Sequence, residues 1–136
     1  SDIEQILDFA AGNRAPAFGK GEAETVDYMK RYSEILRDKI KEGVKAEDYE
    51  HPLKGFHIVV DAGNGAGGFY ATDVLEPLGA DISGSQFLEP DGMFPNHIPN
   101  PENEAAMQSV CLATVRAKAD LGVIFDTDVD RGGAVD

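Results

Sequence analysis

The 136-residue chain has one cysteine, no tryptophan and fewer than half as many basic as acidic side chains, 12 against 25. A single cysteine excludes an internal disulfide. A formal net charge of -13 at pH 7 argues against nucleic acid and anionic membrane surfaces, because neutralising phosphates needs a basic stripe. No run reaches the ~18 apolar residues that a membrane span requires. The N-terminus lacks the basic-then-apolar pattern of a signal peptide, and no repeat or low-complexity segment is present. These absences predict a cytoplasmic chain without nucleic-acid or membrane partners. A small anionic substrate stays compatible, provided a metal or a local arginine supplies the positive field.

What is present suits one compact domain. The hydrophobic fraction is 42% and the charged fraction 27%, ordinary values for a globular protein. A short helix is expected over residues 3–11, and a linker rich in Gly, Pro and Ala over 13–21. A stronger helix is expected over 25–42. It would place Tyr28, Met29, Tyr32, Ile35, Leu36 and Ile40 on one packing or interface face, with Gly43 as its stop.

The pattern then changes to buried strands at 56–60, 80–88 and 121–125, separated by helices at 69–78 and 103–118. Residues 132–136 begin a further strand. Strand-helix alternation predicts an α/β fold with mostly parallel strands and right-handed crossovers. In the helix over 103–118, Ala106, Val110, Ala113 and Ala117 share one side, and Cys111 reads as a small core residue.

Two segments carry candidate chemistry. The first is the turn Asp61-Ala62-Gly63-Asn64-Gly65-Ala66-Gly67-Gly68. It matches the Gly-x-Gly-x-x-Gly dinucleotide fingerprint and resembles the Asp-x-Gly-x-Gly-x-Gly loop of S-adenosylmethionine-dependent methyltransferases. Any tight strand-to-helix turn also selects glycine, and the second strand ends without a well-placed acidic residue for a ribose. A packing role is the favoured reading.

The second segment is Asp126-Thr127-Asp128-Val129-Asp130, followed by Arg131, directly after the apolar run Leu121-Gly122-Val123-Ile124-Phe125. At about 6 Å and an effective dielectric of about 20, each carboxylate pair costs roughly 3 kcal/mol. A hard divalent cation converts that repulsion into binding, since such ions take oxygen ligands. An EF-hand is excluded, because Arg131 stands where glycine is needed and the loop follows a strand. The first motif of haloacid-dehalogenase-like phosphatases fits less well, since its fifth residue is Thr or Val and here it is Asp130.

Three segments taken together point to one family. They are Val59-Val60-Asp61-Ala62-Gly63-Asn64-Gly65-Ala66-Gly67, then Pro90-Asp91-Gly92-Met93-Phe94-Pro95-Asn96-His97-Ile98-Pro99-Asn100-Pro101, then Asp126-Thr127-Asp128-Val129-Asp130-Arg131. Nearly the whole chain resembles the second domain of the α-D-phosphohexomutases, which include phosphomannomutase and phosphoglucomutase.

The resemblance implies a layered α/β/α domain over 21–136 with a mixed, mostly parallel sheet, preceded by a helical connector over 1–20 from another domain. It implies that Asp126, Asp128 and Asp130 bind Mg²⁺ and that Arg131 works in the active cleft. It also implies a hexose phosphate as substrate and a phosphoserine, carried by a different domain, as phosphoryl donor.

No Thr-x-Ser-His-Asn-Pro-like segment occurs here; Ser1, Ser33, Ser83, Ser85 and Ser109 sit in other contexts. The chain alone is therefore expected to be inactive. The alternatives are a free-standing Mg²⁺- or Ca²⁺-binding module and a cofactor-binding fragment that uses the Gly-rich turn. His97 is a candidate either for serving a neighbouring domain or for a structural role. Met93 and Phe94 form an apolar pair suited to a partner surface.

Overall fold

A computed structural model describes residues 1–12 and 21–136. The linker expected over 13–21 lies outside the described residues except for Gly21. The ordered elements are helices α1 (Asp2–Ala11), α2 (Met29–Val44) and α3 (Glu104–Ala117), with strands β1 (Ile58–Asp61), β2 (Leu121–Phe125) and β3 (Gly132–Val135). β1 and β2 run parallel, with Ile58 opposite Leu121 and Asp61 opposite Ile124. β3 returns antiparallel to β2, with Phe125 opposite Gly132. The sheet is thus mixed, in the order β1-β2-β3.

Side chains alternate across β2 and divide the core into two layers. Ile124 faces α3, where it packs with Ala106 and Val110. On the other face, Ile58 and Val60 bury against Ala71, Leu75 and Ala80, with Val123 and Phe125 alongside. An aromatic file links α2 to this layer. Tyr32 lies 6.0 Å from Phe69, Phe69 lies 6.3 Å from Tyr70, and Tyr70 meets Phe125 edge-on at 5.1 Å, all between ring centroids.

Several elements depart from expectation for local reasons. α2 begins at Met29, with no side-chain cap at Tyr28, and passes through Gly43 to stop at Lys45. Lys45 is left-handed, and its N–H bonds the Lys41 carbonyl. Ser33 is the residue that α2 buries; Tyr28, Met29 and Tyr32 are exposed, although Tyr32 keeps its ring contact, and Ile35, Leu36 and Ile40 are half-buried.

The helix expected over 69–78 is a π-helical segment, Tyr70–Leu75, followed by a 3-10 turn, Glu76–Leu78. Pro77 has no N–H to give the Asp73 carbonyl four residues back, and Arg37 of α2 donates to that carbonyl instead.

The strand expected over 80–88 is reduced to two parallel bridges, His57 with Asp81 and Asp61 with Gln86. Gly84, between them, and Phe87, just past the second, adopt positive φ. Ser85 Oγ, rather than a backbone carbonyl, accepts the Val60 N–H at 2.9 Å.

On α3, Ala106, Val110 and Ala113 are buried, as the helical spacing required, whereas Ala117 is half-buried and Thr114 is buried as well. Cys111, expected in the core, is exposed. It lies one residue, and so about 100°, past Val110 on the helix. On α1, Ile3, Ile6, Leu7 and Phe9 are all exposed.

Candidate metal centre

Two acidic positions sit side by side at the C-terminal ends of the parallel strands. β1 ends in Asp61, and the loop joining β2 to β3 opens with Asp126. In open α/β sheets this rim is where ligands bind.

The six-residue loop from Asp126 to Arg131 is pinned at its base. Asp126 N–H donates to the Arg131 carbonyl at 3.1 Å. Arg131 N–H donates to Asp126 Oδ1 at 3.1 Å, and Arg131 Nε to Asp126 Oδ2 at 3.1 Å. Asp126 is 1% exposed, and each of its oxygens keeps further lone-pair capacity. At the tip, Val129 adopts φ +68°, and Asp128 and Asp130 are exposed. One carboxylate oxygen from each of Asp126, Asp128 and Asp130 can be chosen so that all lie within 4.8 Å of one another. Three hard oxygen donors so close suit a divalent cation such as Mg²⁺, with water or another group completing its shell.

The electrostatics set the members apart. Burial opposes charge on Asp126, but the Arg131 backbone N–H, hydrogen bonding with Asp130 and the Arg131 guanidinium outweigh it and hold the carboxyl below its usual range. Asp130 moves the other way. Hydrogen bonding with Asp126, then the charges of Asp128 and Asp126, push its carboxyl up. Two acids competing for one proton in this manner are what a cation would relieve.

Arg131 reaches beyond the loop. Its Nη1 lies 3.4 Å from Asn100 Oδ1 and 3.8 Å from Glu102 Oε2. The proline-rich loop and the acidic loop therefore meet at this guanidinium.

The Gly-rich turn packs against the acidic loop. Ala66 N–H donates to the Thr127 carbonyl at 2.9 Å. A Cβ on Gly65 would come within 2.8 Å of that carbonyl oxygen, and one on Gly68 within 1.9 Å of the Leu88 carbonyl oxygen. Close packing of backbone accounts for glycine at both positions. Asn64 and Thr127 help to border a shallow pocket of about 240 Å³ together with Pro90 and Phe94.

His97 is neither free nor at the acidic loop. Its side chain is 6% exposed, and Nε2 lies 2.9 Å from Oδ1 of the fully buried Asp61. Asp61 also accepts from Gly63 N–H at 3.0 Å, Gln86 Nε2 at 2.8 Å and Ser109 Oγ at 2.9 Å. Met93 is 85% exposed, whereas Phe94 is half-buried.

Sequence reasoning missed this Asp61 network and the contacts of Asn100 and Glu102. An acid closing an apolar strand was a visible signal. Its partners Gln86 and Ser109 lie 25 and 48 residues away, and no local pattern announces them.

Comparison with known proteins places the chain in a family. Residues 30–136 match the family model described as phosphoglucomutase/phosphomannomutase, alpha/beta/alpha domain II. The chain is 37% identical over 119 residues to a phosphomannomutase/phosphoglucomutase of Pseudomonas aeruginosa, covering 88% of this chain and 23% of that protein. It is 33% identical over 138 residues to a phosphoglucosamine mutase of Listeria monocytogenes, covering 99% of this chain and 28% of that one. A crystal structure of a phosphoglucomutase/phosphomannomutase family protein from Burkholderia thailandensis superposes with a TM-score of 0.74 at 30% identity, over 98% of this chain and 27% of that one. The chain thus spans about a quarter of the length of these relatives, and it belongs to the phosphoglucomutase/phosphomannomutase family, as its α/β/α domain II.

Proposed function

We propose that Asp126, Asp128 and Asp130 hold Mg²⁺ for a phosphohexomutase that moves phosphate between the 1 and 6 positions of a hexose phosphate, with the phosphoserine on another domain. The observation that carries this reading is the gathering of three carboxylate oxygens within 4.8 Å on a loop anchored by a buried aspartate. When bound, the ion supplies positive charge against which phosphoryl oxygens are neutralised.

The chain's own residues supply the frame. Asp126 fixes the base of the loop and, through both its oxygens, holds the Arg131 backbone and Nε. Arg131 Nη2 has no protein partner among the described residues, which leaves a donor for a phosphate oxygen. Asn100 and Glu102 bear on Nη1 and limit the swing of the guanidinium.

In this reading residues 1–20 are a connector from a preceding domain and 21–136 the metal-binding unit of a cytoplasmic enzyme. Among the described residues, no helix is long and apolar enough to cross a membrane. Domains outside this chain complete the cleft, so the chain alone has no mutase activity. Assay of the chain with a hexose phosphate and its bisphosphate tests this; turnover would contradict the division of labour. Asp128→Asn in the full-length enzyme should reduce turnover far more than it reduces stability, and equal losses would assign Asp128 a structural role.

A further inference from the structure

The tip of the acidic loop carries an unusual backbone choice. Val129 sits at φ +68° between Asp128 and Asp130. L-residues disfavour this left-handed region, and β-branched ones disfavour it most. Elsewhere the chain puts glycine at positive φ, at Gly55, Gly63, Gly79 and Gly84, or uses unbranched residues such as the helix caps Lys45 and Lys118. Val129 is the one β-branched residue at positive φ among the described residues.

The conformation is imposed from both sides. The pairing of Phe125 with Gly132 closes the hairpin. The Asp126–Arg131 hydrogen bonds close the base of the loop, and Thr127 is tied to Ala66. Between these anchors stand two exposed carboxylates that repel each other and Asp126.

We propose that Val129 is a positioning residue that lowers the stability of the fold in order to keep Asp128 and Asp130 aimed at a common cation. A glycine at the tip would relieve the strain. It would also give the loop additional backbone states into which like charges could open. The stiff valine offers few such states. A bound ion then meets carboxylates that are already gathered, and little ordering is left for binding to impose. This inference rests on the metal reading of the loop.

The test compares the chain with its Val129→Gly and Val129→Ala variants. Thermal midpoints are measured in chelator, and affinity for Mn²⁺ alone is read from the EPR signal of the free ion. Val129→Gly should raise the midpoint yet weaken Mn²⁺ binding about two- to fivefold, the scale of one residue's extra chain freedom. Val129→Ala, still an L-residue but unbranched, should weaken binding less than glycine does and gain less stability.

A purely structural role would move midpoint and affinity together. A lower midpoint for Val129→Gly, or unchanged Mn²⁺ affinity beside normal binding by the parent chain, would overturn this inference alone. No Mn²⁺ binding by the parent chain would overturn the metal reading and this inference with it.

Discussion

Two carboxylate sites lie at the same end of adjacent parallel strands and have opposite fates. Asp61, closing β1, is fully buried and accepts four hydrogen bonds, from Gly63, Gln86, His97 and Ser109. A carboxylate has about four lone-pair directions, so nothing is left for a ligand. On the neighbouring strand's loop, Asp126 and Asp130 share one cationic partner, Arg131, while Asp128 has none among the described residues, and Asp128 and Asp130 are exposed. The first site joins β1, the Gly-rich turn, the proline-rich loop and α3. The second keeps unused oxygens in one place. Chain position alone does not separate a saturated aspartate from one with oxygens to spare; the number of donors already facing it does.

The largest effect should come from breaking the saturated site. Asp61→Ala strands four donors inside the protein and should cost about 3 kcal/mol or more, measured by urea denaturation. Loss confined to metal affinity, with stability intact, would erase the contrast.

Asp126→Asn should come second. It weakens the Arg131 contacts that close the loop, and it should lower both the thermal midpoint in chelator and the Mg²⁺-dependent rise of that midpoint. Asp128→Asn should sharpen the comparison further. Asp128 is exposed, so the midpoint in chelator should stay near that of the parent chain while the Mg²⁺-dependent rise disappears.

The smallest effect is in pH dependence. The Asp130 carboxyl is pushed up from 3.8 by hydrogen bonding with Asp126 and by the charges of Asp128 and Asp126. The folded state therefore holds that proton more tightly than the unfolded chain. Asp130 opposes folding increasingly as pH rises from about 3.8 towards the raised value, and its penalty is constant above it. Asp126, held low, has the opposite sign, and its contribution to stability is lost as pH falls. In metal-free protein Asp130→Asn should thus raise the midpoint slightly at neutral pH and leave it unchanged well below the carboxylate range. A fall at neutral pH would contradict the repulsion.

Much of this was legible in the chain. The run Leu121 to Phe125 followed by alternating aspartates marked a strand and a loop that gathers three carboxylates, because both signals are local. The face of α3 that carries Ala106, Val110 and Ala113 followed from helical spacing. The segment before α3 misled, because Ile82, Phe87 and Leu88 have the apolarity of a strand, while Gly84, Phe87 and a Ser85 side-chain bond decide its backbone. At the π-helical turn, the carbonyl that Pro77 leaves free is taken by Arg37, 36 residues earlier, which no local pattern announces. His97 was recognised as chemically capable, but its partner Asp61 lies 36 residues earlier, and only the fold brings them together.

The central claim is that the acidic loop is a cation site and the neighbouring buried aspartate is not. Crystals of the chain grown with Mn²⁺, examined by anomalous diffraction at the manganese edge, test it most directly. The account predicts one anomalous peak bounded by oxygens of Asp126, Asp128 and Asp130, lost in Asp128→Asn. A peak elsewhere, or none at the loop under saturating Mn²⁺, would contradict it.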